Sequence, residues 1–154
     1  MVKHLLIVYH SQSGKNEQLA QAVLRGAKQE PEVESKLLRA FAAQTEDLLW
    51  ADAVIFAAPE NFGYLAGGLT DFFARTFYPY LEQAPTQSLP YAMVCGTGND
   101  GSGALRQLRR IATGYRMREV AEPIFVIGDI KDGDLQRCEE LGLTFAAGLS
   151  LGVF

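Results

Sequence analysis

Hydrophobic positions in this chain switch repeatedly between unbroken runs and helical spacing. Leu5-Leu6-Ile7-Val8-Tyr9 is a continuous apolar run, the pattern of a strand buried on both faces. It stops at the turn-forming Ser11-Gln12-Ser13-Gly14. From Asn16 to Lys28, Leu19, Val23, Leu24 and Ala27 recur at helical spacing, and Pro31 forbids much continuation. Val33 to Leu38 mixes charged and apolar residues as a less buried edge strand does. Thr45-Glu46-Asp47 is placed to cap a short helix carrying Leu48, Leu49 and Trp50. Ala53 to Ala58 is a second fully apolar strand, ending at Pro59. Leu65, Leu69, Phe72, Phe73 and Thr76 then mark one side of a helix expected to run until Pro79. Pro85 and Pro90 bracket a loop leading to the strand Tyr91–Cys95. A glycine-rich turn from Gly96 to Gly103 opens a helix with Leu105, Leu108, Ile111 and Ala112 inward. Ile124–Ile127 is a last strand and Leu135 to Leu151 a last helix.

Strand and helix thus alternate five times, which argues for a parallel sheet covered by helices on both faces, a three-layer α/β/α arrangement. Long polar loops follow the first, third and fourth strands. The order 2-1-3-4-5 gathers those loops at one edge of a five-stranded sheet, beside its switch point, and is preferred to a Rossmann order for that reason. The 154 residues suit one domain spanning 1–154. Composition adds exclusions. The formal charge of −4 comes with no basic stripe that could neutralise a nucleic-acid backbone. No apolar stretch approaches the roughly 18 residues of a membrane span. The apolar run at Leu5 leads into a polar loop and not a small-residue cleavage site, so it reads as a strand and not a signal peptide. Cys95 and Cys138 lack CxxC or Cys/His spacing, so neither disulfide nor zinc is indicated and a reducing cytoplasm is expected.

The loops carry the candidate chemistry. Ser11-Gln12-Ser13-Gly14-Lys15-Asn16 offers a phosphate what it needs: backbone N–H groups at a helix N-terminus, side-chain donors from Ser11, Ser13 and Asn16, and a glycine where backbone must approach. An ordinary capped turn has a similar composition. Phe62 and Tyr64, in Pro59-Glu60-Asn61-Phe62-Gly63-Tyr64, could cover a flat apolar ring or pack into the core. Gly96-Thr97-Gly98-Asn99-Asp100-Gly101 formally satisfies GxGxxG, a weak signal here because it follows the fourth strand and not the first. His10 adjoins the first loop without partners at triad spacing. Lys131-Asp132-Gly133-Asp134 lacks the remaining ligands of a calcium loop and reads as a turn and helix cap.

Taken together, these segments resemble the flavodoxin-like FMN proteins. Ser11, Ser13 and Gly14 match that family's first loop, with Asn16 standing where Thr is usual. Ala51 to Tyr64, followed by Gly67-Gly68-Leu69-Thr70-Asp71-Phe72, is similar to the strand, flavin loop and helix start of the NAD(P)H:quinone oxidoreductase branch, and Cys95 to Gly101 to its third flavin loop. The resemblance implies FMN as cofactor, held by Ser11 to Asn16 at the phosphate, by Pro59 to Tyr64 at the ring, and by Gly96 to Gly101 at the pyrimidine edge, with Thr97 and Asn99 as side-chain donors. It implies NAD(P)H as electron donor and a quinone or similar small acceptor, with no protein residue acting as nucleophile or base and no metal. A flavodoxin-type carrier with a redox partner protein, and a flavin-binding module without turnover, are the alternatives. Oligomeric state is left open, a homo-oligomer included.

Overall fold

The computed structural model describes residues 1–154. Its principal elements in chain order are β1 (Lys3–Tyr9), α1 (Lys15–Ala27), β2 (Val33–Arg39), α2 (Thr45–Trp50) and β3 (Ala53–Ala57). They continue with β4 (Glu60–Asn61), β5 (Tyr64–Leu65), α3 (Gly67–Gln83), β6 (Pro90–Thr97) and α4 (Ser102–Gly114), and end with β7 (Arg118–Glu119), β8 (Ile124–Ile127) and α5 (Asp132–Leu151). Every pairing in the main sheet is parallel. β1 lies between β2 and β3, with Ile7 opposite both Leu37 and Ile55, and β3 pairs β6 from Val54–Tyr91 to Ala57–Val94. β8 pairs the second half of β6, while the short β7 pairs its start. With β7 set aside, the five main strands run in the expected 2-1-3-4-5 order of a flavodoxin-like sheet.

Alternation along each strand divides the core into two layers, because successive side chains point to opposite faces. Leu6, Val8, Val54, Phe56, Tyr91 and Met93 pack with α2, α3 and α4. Leu5, Ile7, Ala53, Ile55, Ala92 and Val94 pack with α1 and α5. All of these are buried, as the continuous apolar runs require. No helix is long and apolar enough to cross a membrane.

Three local features differ from the sequence reading. The segment after β3 is a two-stranded antiparallel hairpin, β4–β5, so Leu65 sits on a strand and α3 begins at Gly67. α3 also passes through Pro79 to Gln83. Pro79 loses one backbone bond close to the helix end, while the next residue, Tyr80, is fully buried with its ring 5.7 Å from that of Tyr115; packing decides the outcome. The cap of α2 lies one residue before Thr45, where the Gln44 N–H donates to the Asp47 carboxylate at 2.8 Å. Lys131 to Asp134 is the expected helix cap, with the Lys131 N–H donating to Asp134 at 2.9 Å.

Candidate functional site

The loops after β1, β3 and β6 leave the sheet at its C-terminal edge and enclose a cleft of about 320 Å³, lined by Gln12, Ser13, Lys15, Asn16, Glu60 and Thr97 among others. In the first loop, Gly14 is the N-cap of α1 with φ +95°, a conformation that L side chains rarely adopt. Its N–H donates to Ser11 Oγ at 3.0 Å, which tightens the turn. The first intrahelical bond is from the Gln18 N–H to the Gly14 carbonyl. The N–H groups of Lys15, Asn16 and Glu17 therefore precede the ladder, without intrahelical acceptors, at the positive end of the helix dipole. Ser13 is exposed beside them.

Asn16, expected as a phosphate donor, is engaged elsewhere. Its side chain is 3% exposed. Nδ2 donates to the Gly96 carbonyl at 3.1 Å, and Oδ1 accepts from the Gly96 N–H at 2.8 Å. β3 leaves the sheet after the Ala58 N–H bonds to the Val94 carbonyl, and the Asn16 carboxamide, which has the donor and acceptor of a peptide, continues the ladder in its place. Lys15 adds a second tie between the first and third loops, with Nζ donating to the Thr97 carbonyl at 3.2 Å.

The second loop is the β4–β5 hairpin. Its two central residues, Phe62 and Gly63, have φ +54° and +72°, the left-handed pair that a tight hairpin of this hand demands. Phe62 at the tip is 96% exposed and Tyr64 60%, so neither aromatic belongs to the core. Asn61 Nδ2 donates to Gln12 Oε1 at 2.5 Å, joining the hairpin to the first loop. Glu60 turns the other way: its Oε2 accepts from the Gly103 N–H at 2.8 Å and the Ala104 N–H at 3.2 Å, at the start of α4.

The third loop begins on β6, where Gly96 and Thr97 are still strand residues. Thr97 Oγ1 accepts from the Asn99 N–H at 3.2 Å. Asp100 Oδ1 accepts from the backbone and hydroxyl of Ser102, each at 2.9 Å, and those bonds hold its carboxyl below the usual range. The N-terminus of α4 is consequently filled by the chain's own carboxylates, Asp100 at Ser102 and Glu60 at the next two residues. The N-terminus of α1 is open. The GxGxxG signal of the third loop is thus closed to an anion, and the Ser-x-Ser-Gly signal of the first loop is not.

His10 follows β1 at the same edge. Its ring lies against the Gly68 backbone and 5.6 Å from the Phe41 ring. Burial, with the Arg39 guanidinium adding to it, lowers its pKa. Cys95, fully buried in β6, is pushed up to about 12 by burial, with the Glu60 charge adding, so it is no nucleophile. The residues that local patterns did not reveal are Gly103 and Gln107. The Gln107 Oε1 accepts the Leu65 N–H at 2.6 Å, and only packing between distant segments brings that pair together.

The donor set fits FMN. A phosphate dianion placed at the start of α1 would find free helix N–H groups, a serine hydroxyl and a single lysine. Beside it, the cleft is lined by the backbone of Pro59 to Asn61 and of Gly96 to Gly98, edges that can meet the rim of a flat heteroaromatic ring, and the exposed Phe62 and Tyr64 stand on the same hairpin outside that lining.

Residues 39–132 match the family model described as NADPH-dependent FMN reductase. A flavodoxin from Aquifex aeolicus (strain VF5) is 30% identical over 69 residues, which is 45% of this chain and 37% of that protein. The chain thus matches well under half the length of that relative. Among solved structures, a flavodoxin from the domain Archaea superposes with a TM-score of 0.83 at 20% identity, covering 96% of this chain and 99% of that one. A flavodoxin, WrbA-like protein from Agrobacterium tumefaciens gives 0.79 at 20% identity, covering 97% and 98%. The Flv1 flavodiiron core from Synechocystis gives 0.82 at 21% identity, covering 98% of this chain and 37% of that one. At such identities the likeness is one of fold.

Proposed function

Because this chain belongs to the NADPH-dependent FMN reductase family, we propose that residues 1–154 act as one flavodoxin-like domain that takes electrons from NADPH or NADH into FMN and passes them to a quinone or similar small acceptor. The observation that carries the site assignment is the contrast between two glycine-rich helix starts at one sheet edge, α1 open to an anion and α4 closed by Glu60 and Asp100. On this reading the N–H groups of Lys15, Asn16 and Glu17 hold the phosphate, together with the Ser13 hydroxyl. Lys15 supplies the one positive charge among the residues lining the cleft. Pro59 to Tyr64 hold the ring, and the backbone of Gly96 to Gly101 meets its pyrimidine edge.

When bound, the flavin supplies the redox chemistry. The chain's part is to bind, orient and leave one face accessible. The exposed Phe62 and Tyr64 give a planar acceptor an aromatic surface to stack on.

The test is rapid mixing of the FMN-loaded protein with NADPH and with NADH, followed by benzoquinone. Loss of the flavin's visible absorption faster than about 1 per second, at the low end of ordinary turnover, and its return on adding quinone are the expected results. Reduction orders of magnitude slower with both nucleotides would exclude the reductase reading. Preference for FMN over riboflavin tests the phosphate site separately.

A further inference from the structure

The carboxylate of Glu60 does two things at once. It belongs to the hairpin, yet it caps a helix that starts more than forty residues later, through bonds of 2.8 and 3.2 Å to the Gly103 and Ala104 N–H groups. Both of those residues are buried, so water does not compete freely for the N–H groups. The helix dipole favours a negative charge at that position. Around this bond the hairpin and α4 are in tight register. A Cβ on Gly103 would collide with the Gly63 carbonyl, and Gln107, one turn further along α4, accepts the Leu65 N–H at 2.6 Å. Glu60 also lines both the cleft of about 320 Å³ and a neighbouring cavity of about 490 Å³ formed with Gly63, Asn99, Asp100, Ser102, Gly103 and Arg106.

We infer that Glu60 is a positioning residue for the flavin ring: by capping α4 from the hairpin it locks the second and third loops into one unit, and its charge tunes the bound flavin's potential. This rests on the FMN reading above. The hairpin has only two residues in each strand, too few to hold its own shape in water. It is held by α4, through Glu60 and Gln107, and by the first loop, through the Asn61–Gln12 bond. The role concerns the ring and not the phosphate, because the phosphate loop makes no bond to Glu60.

The experiment titrates FMN and riboflavin into the flavin-free full-length chain, unsubstituted and as Glu60→Ala, Glu60→Gln and Gln107→Ala, following quenching of flavin fluorescence. Midpoint potentials are measured on the loaded proteins. Glu60→Ala removes two hydrogen bonds to a charged acceptor and is expected to weaken FMN and riboflavin by the same factor, about tenfold or more, leaving their ratio unchanged. Glu60→Gln keeps an acceptor oxygen and loses the charge. It is expected to bind within about threefold of the unsubstituted chain, with a raised midpoint potential because the reduced flavin gains negative charge. Gln107→Ala is expected to weaken both flavins alike and decides the matter if Glu60→Ala does not fold. Unchanged binding by Glu60→Ala, a loss confined to FMN, or an unshifted potential in Glu60→Gln would overturn the proposal alone. Failure of the unsubstituted chain to bind any flavin would overturn the FMN reading, and this proposal with it.

Discussion

Replacing Asn16 with Ala separates what the structure shows from what the loop's resemblance implies. The carboxamide makes both of its bonds to one peptide, the Gly96 N–H at 2.8 Å and the Gly96 carbonyl at 3.1 Å, in a site that is 3% exposed. Truncation leaves both groups without partners at the end of β6, where β3 is no longer alongside. A buried polar group deprived of its partner costs about 1–3 kcal/mol, so the pair amounts to about 2–4 kcal/mol once some water has entered. For a domain of this size that corresponds to a melting point lower by roughly 5–15 °C. Threonine, the usual residue at this place in the resembled family, has one hydroxyl and lacks the reach of a carboxamide, so Asn16→Thr is expected to recover only part of the loss. The assay is thermal unfolding of the flavin-free variants, combined with FMN and riboflavin titrations. The preference for FMN over riboflavin is expected to survive both substitutions, since the side chain is turned to Gly96 and the Asn16 N–H, proposed above to hold the phosphate, is retained. An Ala variant that melts like the unsubstituted chain but loses its preference for FMN would refute the reasoning.

Gly103→Ala is expected to weaken FMN and riboflavin together, about tenfold, because the new Cβ collides with the Gly63 carbonyl and displaces the hairpin. Its control is Gly133→Ala in α5, where a Cβ meets nothing within 4 Å; the change is expected to stabilise the fold by about 0.5–1 kcal/mol, read as a higher melting point. Cys95 and Cys138 are fully buried, with burial pushing both pKa values up to about 12, so neither is expected to react with a thiol reagent at pH 8 until the chain is unfolded. Arg109 donates to Glu119 through Nε at 2.7 Å and Nη2 at 2.9 Å, and holds its carboxyl below the usual range. A carboxyl whose pKa is depressed by folding stabilises the fold above its unfolded value of about 4.3 and loses that contribution as pH falls through the lower folded value. The melting difference between the unsubstituted chain and Glu119→Gln is therefore expected to be present at neutral pH, small because the pair is exposed, and to vanish in acid.

The parts of this molecule that sequence revealed are those whose cause is local. β1, β3 and β6 are buried on both faces by helices, so every residue of a strand must be apolar and the run itself marks the element. Their order followed from one further fact, that the long polar loops come after the first, third and fourth main strands. The hairpin left no such trace, since strands of two residues are shorter than any detectable period. Pro79 misled because its local cost is outweighed by the burial of Tyr80. Asn16 and Glu60 are both polar residues in loops, and their types suit contact with a ligand as well as contact with backbone. Their partners, Gly96 and Gly103, lie 80 and 43 residues away, and nothing in either neighbourhood specifies that distance.

Those two residues also explain how one sheet edge with two glycine-rich helix starts comes to offer a single place for an anion. Any helix N-terminus attracts negative charge, and composition alone gives α4 the stronger formal motif. Asp100 and Glu60 remove that option by supplying the charge from within the chain, where no ligand has to be captured from solution and the entropy of ordering is borne at folding. Asn16 does the converse at α1: its side chain turns toward Gly96, and its backbone N–H is left facing outward with those of Lys15 and Glu17. The same pair of choices fixes the electrostatics of the cleft. Among its lining residues Lys15 and Glu60 are the only formal charges, one beside the open helix start and one bonded to the first N–H groups of α4. On the reading proposed above, a small planar acceptor reaches the ring by diffusion and is held there by stacking, and turnover is then expected to be insensitive to salt.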